Sequence, residues 1–255
     1  MAEEKNLNLC FIILAAGMGK RMLNPSVAKV MSLLDGKPLI DHVLKTVKKI
    51  EGNKTIVVVG HQKQGVIDYV KSNFDATIEF AEQNEQLGTG HAVMQTENLL
   101  KDFKGEVLIL AGDVPLLSFD TIGNFIEMHH EKNSEISVLT THAKNPFGYG
   151  RIIRDTNGDF IRIVEEKDAN DEERKVNEIN SGVFLVNKEL LFNSLKEVSN
   201  QNAQGEYYLT DIIGILRKRY AKVFAFAGAE FEELQGVNSP DDLRKVEEFY
   251  YFRKR

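Results

Sequence analysis

Cysteine is almost missing from this chain: Cys10 is the only one in 255 residues. That excludes an intramolecular disulfide and any cysteine-based zinc cluster, and it points to a cytoplasmic setting. Long apolar runs are missing as well. No stretch approaches the roughly 20 residues a membrane-crossing helix needs, so no membrane contact is expected. The run from Leu9 to Gly17 follows acidic Glu3 and Glu4, the wrong charge for a secretory signal. Basic residues show no excess: 32 Lys and Arg against 38 Asp and Glu leave a net charge of −6. This counts against a nucleic-acid partner. A few cations gathered in one cleft with a divalent ion can still hold a polyphosphate. The sequence also shows no internal repeat, no low-complexity tract and no flexible linker.

What is present is an ordinary globular composition, 42% hydrophobic and 27% charged, enough to bury a core without a disulfide or metal staple. Strand-like runs fall at 9–14, 55–59, 76–81, 106–111 and 136–140, with helical patterns between them at 38–50, 62–72, 89–100 and 118–131. In the first helix Leu39, Val43, Leu44, Val47 and Ile50 share one face. Continuous apolar strands separated by helices predict an α/β fold, a mostly parallel Rossmann-like sheet with helices on both faces. The second half is more mixed. Strands are expected at 150–154 and 159–164 around an Asn157-Gly158 hairpin turn, and at 181–186. A last helix is expected after Ser239-Pro240, with Ser239 as N-cap. The whole reads as one domain over 1–255, with a smaller antiparallel portion in the second half.

The glycine-rich stretch "LAAGMGKRM" (14–22) fails two familiar nucleotide signatures. Met22 stands where a third dinucleotide-fingerprint glycine belongs, and Lys20 is followed by Arg21 rather than Ser or Thr as in a P-loop. Its glycines still let backbone N–H groups approach phosphate, and Arg21 can fork onto phosphate oxygens. A tight turn with an exposed Lys-Arg pair is the alternative.

The same stretch, followed by Lys29, resembles the signature of sugar-nucleotide pyrophosphorylases. Further strings match in order: "EQLGTGHA" (85–92), "GDVPLL" (112–117), "GYGRI" (148–152), "VEEKDA" (164–169), "EINSGVF" (178–184), "NAQGEYYLTDII" (202–213) and "GVN" (236–238). Together they are similar to the uridylyltransferase half of bacterial N-acetylglucosamine-1-phosphate uridylyltransferases, over nearly the whole chain. Three departures stand out. No hexapeptide-repeat acetyltransferase segment is present, so no acetyl transfer is expected and oligomeric state is left open, since that domain builds the family's trimer. The link from Arg21 to Lys29 is one residue longer than usual, with Ala28 in place of a proline. Ala111 replaces a frequent tyrosine.

The resemblance implies a Mg2+-dependent transfer in which a sugar-phosphate oxygen attacks the α-phosphorus of UTP and expels pyrophosphate, supplying a cell-wall precursor. Such chemistry needs charge neutralisation and in-line positioning, not a nucleophilic side chain. By the resemblance, Arg21, Lys29 and Asp113 are catalytic, and Asp113 and Asn238 hold Mg2+. Leu14, Ala15, Ala16, Gly17, Lys29, Gln83, Gly88, Thr89, Ala111 and Gly112 line the nucleotide site, with Gln83 on the uracil edge. Gly150, Glu165 and Asn180 face the sugar, with Glu206, Tyr208 and Thr210 supporting that pocket. Residues 1–115 form the nucleotide-binding half and 116–255 the sugar-binding half. UTP and N-acetylglucosamine 1-phosphate are the implied partners. A glucose-1-phosphate uridylyl- or thymidylyltransferase, or a non-catalytic sugar-nucleotide-binding subunit, are the competing readings. Taken singly, several of these residues have plainer roles: Asp113 as a turn cap, Gln83 as an exposed polar residue, Asn238 as a helix-start signal. The charged run 165–175 reads mostly as solvated, apart from Glu165. The six histidines (42, 61, 91, 129, 130 and 142) form no His-x-x-x-His pair and read as packing residues rather than metal ligands.

Overall fold

The protein is described by a computed structural model over residues 8–19, 22 and 27–254. Strand β1 (Leu9–Ala15) is its axis, because six of its seven residues are buried and it is paired on both edges. From β1 the chain passes a small hairpin, β2 (Leu33–Leu34) with β3 (Lys37–Pro38), and enters α1 (Leu39–Val47). Then follow β4 (Lys54–Val59), α2 (Lys63–Asn73) and β5 (Glu79–Glu82), which extend the sheet outward in parallel. Helix α3 (Thr89–Met94) brings the chain back to β6 (Glu106–Ala111), on the opposite edge of β1. The chain therefore reverses its direction of winding between β1 and β6, the place where open α/β sheets bind ligands at the carboxyl ends of their strands.

The second half continues through α4 (Phe119–Glu131), β7 (Ile136–His142), β8 (Arg151–Arg154), β9 (Phe160–Val164), α5 (Asp171–Arg174), β10 (Glu178–Asn187), α6 (Lys188–Leu195), α7 (Asp211–Lys218), β11 (Val223–Ala227) and α8 (Pro240–Arg253). The main sheet runs β11-β7-β10-β6-β1-β4-β5, with β8 and β9 branching from β10. Strand β10 is antiparallel to both β6 and β7, while β11 pairs with β7 in parallel. The expected fold class is therefore observed: a mostly parallel sheet in its first half and an antiparallel portion in its second.

Alternation along β1 divides the core. Cys10 and Ile12 join Val93 of α3, Leu191 of α6 and Ile213 of α7 on one face. Phe11 and Ile13 join Val43 of α1, Val66 of α2 and Phe125 of α4 on the other. Each fully buried Ile or Leu here is worth about 1.5–3 kcal/mol. Burial also pushes the Cys10 thiol up to about 12, so it acts as an inert core residue. Helix α8 closes the molecule by packing Val246 against Leu34, Leu39 and Leu116, and Tyr250, Tyr251 and Lys254 all bond to Asp35 in the β2–β3 turn.

Several boundaries differ from the sequence reading. The strand expected at 76–81 starts only at Glu79, because Asp75 accepts from the Thr77 amide and closes a turn. The helix expected at 38–50 ends at Val47, and the next residues form a turn. The helix expected at 89–100 stops at Met94, and Thr96 Oγ1 bonds to the Val93 carbonyl before a separate 3-10 turn at Glu97–Leu100. Ser239 caps α8 and Pro240 is its first residue, as expected, while the helix expected from 118 starts at Phe119 with Ser118 as its cap. The Asn157-Gly158 turn joins β8 to β9, with Gly158 at φ +85°.

Candidate functional site

A cleft of about 700 Å³ opens at the carboxyl ends of β1 and β6. Leu14, Ala15, Ala16, Gly17, Lys29, Gln83, Gly88, Thr89, Ala111 and Asp113 line it, so ten of the sequence-derived positions come together here. Leu14 and Ala111 are register partners on adjacent strands and form its floor. Gly112 lies just behind that floor. Its amide donates to the Leu14 carbonyl at 2.9 Å, and a Cβ there would sit 3.0 Å from the same oxygen. Arg21 lies outside the described residues.

Three remote segments meet at one rim of the cleft. Asp113 follows β6, Asn238 precedes α8, and Lys29 opens a 3-10 turn at Lys29–Met31. The Val237 amide donates to the Asp113 carbonyl at 2.9 Å, which ties the two oxygen-bearing residues side by side. Lys29 Nζ donates to Asp113 Oδ2, and also to Asn238 Oδ1 at 2.9 Å. Lys29 and Asp113 are both largely buried, so their pairing is well shielded from water. A carboxylate and an amide oxygen thus converge on a single cation. A hard divalent ion such as Mg2+ seeks that donor set, so Asp113 and Asn238 fit the role expected of them. Ala28, where the resemblance expects a proline, has a φ of −57°, a value a proline ring would impose.

The far wall is built from the 83–91 segment. Gln83 is buried rather than exposed, which corrects its plainer reading. Its Nε2 donates to the Gly88 carbonyl at 3.0 Å and lies 3.2 Å from His91 Nδ1, so the amide is held on two sides. Gly88 has φ +106°, and a Cβ on it would lie 2.6 Å from the Tyr207 carbonyl oxygen. Only glycine fits that site without displacing backbone. Around it the chain makes a short zip to the second half: Gly90 N to Tyr207 O at 2.8 Å, Tyr207 N to Leu87 O at 2.7 Å, and Leu209 N to Thr89 Oγ1 at 3.1 Å.

Gly150, Glu165 and Asn180 form a second group. The Asn180 amide donates to the Gly150 carbonyl at 2.9 Å, and a Cβ on Gly150 would lie 3.3 Å from a Glu165 carboxylate oxygen. Burial raises the Glu165 pKa above the usual carboxylate range, even though Thr210 Oγ1 donates to its Oε1 at 2.9 Å. Asp211, Asp168 and Glu206 nearby push in the same upward direction. A partly buried carboxyl of this kind can accept hydrogen bonds from hydroxyl groups.

The profile of the family described as nucleotidyl transferase matches residues 11–232. The chain belongs to that family. Among curated relatives it is 47% identical over 227 residues to the bifunctional protein GlmU of Latilactobacillus sakei, covering 89% of this chain and 48% of that protein. It is 46% identical over 227 residues to GlmU of Enterococcus faecalis, covering 89% and 48%. The chain thus spans about half the length of the curated relatives it matches. Among solved structures, a UDP-glucose pyrophosphorylase complexed with UDP-glucose superposes with a TM-score of 0.78 at 20% identity, covering 98% of this chain and all of that one. A putative glucose-1-phosphate thymidylyltransferase from Bacillus anthracis gives 0.74 at 18% identity, covering 94% of each chain. At these identities the two structures speak to the fold alone.

The nucleotidyl transferase cleft also has walls that sequence reading did not assign. Met18, Gly19, Val30, Gln86, Ala92, Lys167, Ala203 and Gln204 line it, as does Glu206, which was read as a support for the sugar pocket. Lys167 sat unnoticed in a charged run whose composition suggests a solvated loop. His91 was read as a packing residue, yet it braces Gln83 and tilts against Tyr207 at 6.3 Å. Its position eight residues after Gln83, one on a strand end and one on a helix, gives no periodic signal that could reveal the contact.

Proposed function

We propose that this chain is a UDP-N-acetylglucosamine diphosphorylase: UTP and N-acetylglucosamine 1-phosphate give UDP-N-acetylglucosamine and pyrophosphate. The observation that carries this reading is the meeting of Lys29, Asp113 and Asn238 on the rim of the cleft. Membership of the nucleotidyl transferase family and the identity to GlmU proteins across 89% of the chain support it. In this reading residues 1–255 act as one unit, with 1–115 serving the nucleotide and 116–255 the sugar. The continuous main sheet, which draws strands from both halves, supports that assignment.

The bond that forms joins a sugar-phosphate oxygen to the α-phosphorus, and the bond that breaks links that phosphorus to the bridging oxygen of the departing pyrophosphate. Both reactants are anions, so the protein's task is to hold them in line and offset their repulsion. Mg2+, when bound, supplies charge neutralisation at the reacting phosphates, and Asp113 and Asn238 are the residues that would hold it. Backbone at 14–17 lets the triphosphate lie close to the end of β1. Gln83 presents its amide oxygen to the base edge as an acceptor, its nitrogen being engaged by Gly88 and His91. Lys29 and Arg21 are assigned to the triphosphate and the developing pyrophosphate charge. Gly150, Glu165 and Asn180 are assigned to the sugar.

One assay tests the proposal. Pyrophosphate release is measured with UTP, TTP and CTP, each paired with N-acetylglucosamine 1-phosphate or glucose 1-phosphate, with and without chelator. Turnover is expected with UTP and the acetylated sugar, and loss of turnover with chelator. A preference for glucose 1-phosphate would remove the substrate assignment, and silence with every pair would remove the enzymatic one.

A further inference from the structure

Two of the six histidines do more than pack. His129 and His130 end α4, and both reach Glu106, the first residue of β6. His129 Nε2 lies 3.1 Å from Glu106 Oε1, and His130 Nε2 lies 2.7 Å from Glu106 Oε2. Successive residues on a helix point about 100° apart, so two adjacent imidazoles meeting on one carboxylate is not a default arrangement. Their rings stand edge to face, 76° apart with centroids at 5.4 Å. One donor atom from each of the three residues falls within 4.8 Å of the others.

We propose that Glu106, His129 and His130 form a binding site for a divalent ion of the Zn2+ class, separate from the cleft and independent of the nucleotidyl-transfer reading. Three features set this cluster apart from a simple ion pair. First, the donor set is two imidazole nitrogens and a carboxylate, which suits Zn2+, Co2+ or Ni2+ and not a hard oxygen-seeking ion such as Mg2+. Second, the buried ring is oriented from behind: His129 is 1% exposed, and its Nδ1 lies 2.8 Å from Ser137 Oγ at the start of β7. Metal-ligating histidines are typically oriented through their second nitrogen in this way. A hydroxyl can donate or accept. His129 can therefore carry its proton on Nε2, facing Glu106, or on Nδ1, facing Ser137, and keep its partner in both states. Ion binding takes the second arrangement: each Nε2 offers its lone pair to the ion and any proton it carried leaves to water. Third, the cluster has a way in. His130 and Glu106 keep 31% and 25% of their side-chain surface exposed, so an ion can arrive and retain water in its remaining position.

Such an ion would staple three elements, the start of β6, the end of α4 and, through Ser137, the start of β7. The site sits at the amino end of β6, six residues of strand away from Asp113, on the order of 20 Å at the usual rise per residue.

The test uses the full chain stripped of metal and titrated with Co2+ and Zn2+, reading cobalt d–d absorption, competition by Zn2+, and thermal unfolding. One equivalent is expected to bind with micromolar affinity or tighter, to resist competition by millimolar Mg2+, and to raise the unfolding temperature. His130→Ala and Glu106→Gln change the two exposed ligands, so they spare the buried ring. Each should weaken binding at least about tenfold, and Ser137→Ala should weaken it by a similar factor. Asp113→Asn should leave it unchanged. Circular dichroism confirms that each variant is folded. Absence of saturable binding by the parent chain, binding that persists at full strength in both His130→Ala and Glu106→Gln, or loss of binding in Asp113→Asn would each overturn the proposal.

Discussion

Strand β6 carries a carboxylate at its start and another just past its end, and the two are handled in opposite ways. At the carboxyl end, Asp113 is met by Lys29, 84 positions away, and the same lysine also reaches Asn238, 209 positions from it. At the amino end, Glu106 is met by His129 and His130, only 23 and 24 residues away on the very next helix. The first group is assembled from loops and carries oxygen atoms of the kind a hard ion prefers. The second is assembled from the ends of regular elements and offers imidazole nitrogens. One strand thus carries two kinds of donor group at its ends, and the difference follows from what those ends face: open loops at one end, a locally packed helix turn at the other.

The strongest way to sharpen this contrast is Asp113→Ala. Turnover should fall about 100-fold or more, since the ion that would neutralise the reacting phosphates loses its carboxylate ligand and Lys29 loses its partner, while cobalt binding at the far end stays intact. Near-normal activity in that variant would remove Asp113 from the metal site. Next is Gly88→Ala, which puts a Cβ 2.6 Å from the Tyr207 carbonyl at a backbone φ of +106°. The strain should cost on the order of 1–3 kcal/mol and raise the KM for nucleotide more than it lowers kcat. Gly65 is the control, because its Cβ would meet nothing within 4 Å in α2. Gly65→Ala should stabilise by roughly 0.5–1 kcal/mol. If both glycine variants behave alike, the wall does not depend on the close approach.

A smaller effect is expected at Glu165. Burial raises its pKa, so the folded state holds its proton more tightly than the unfolded chain does. Its contribution to stability is fully present below its ordinary value of 4.5 and is lost as pH rises through the raised one. Glu165→Gln keeps an acceptor for Thr210 and removes that dependence. The variant should match the parent at about pH 4 and melt at a higher temperature at about pH 8. A variant less stable than its parent at the higher pH would contradict the burial argument. The smallest effect should be that of His130→Ala in metal-free buffer. A half-exposed pair contributes about 1 kcal/mol or less, and turnover should be unaffected. A large loss of stability without metal would mean that the imidazoles serve the fold directly.

The sequence made the first half of this molecule easy to read for a physical reason. Strands β1, β4 and β6 are buried on both faces, so their continuous apolar runs have no competing interpretation. Strand β11 escaped notice because it pairs only with β7, and its alternating VFAFA is short and half-exposed. Helices α6 and α7 are eight residues each, too brief to impose a clear period before their caps interrupt it. Most nucleotide-side positions were legible through a motif. Lys167 and Gln204 were not, because polar residues in a polar run look solvated until a cleft wall is placed against them. Glu106, His129 and His130 were hidden differently. Their types were visible, but only the return of the chain from α4 into β7 brings the end of that helix down on the start of β6.

The zip between Leu87, Gly90 and Tyr207 has a bearing on synthesis, which proceeds from the amino terminus. The 83–91 segment that forms the far wall of the cleft emerges early, but its backbone partner arrives about 120 residues later, and Asn238 later still. At the usual pace of about 5–20 residues per second, the nascent chain spends roughly 6–24 s with that wall unsupported. The cleft therefore closes late, and a chain cut short before residue 207 carries the 83–91 wall without the backbone partner that braces it.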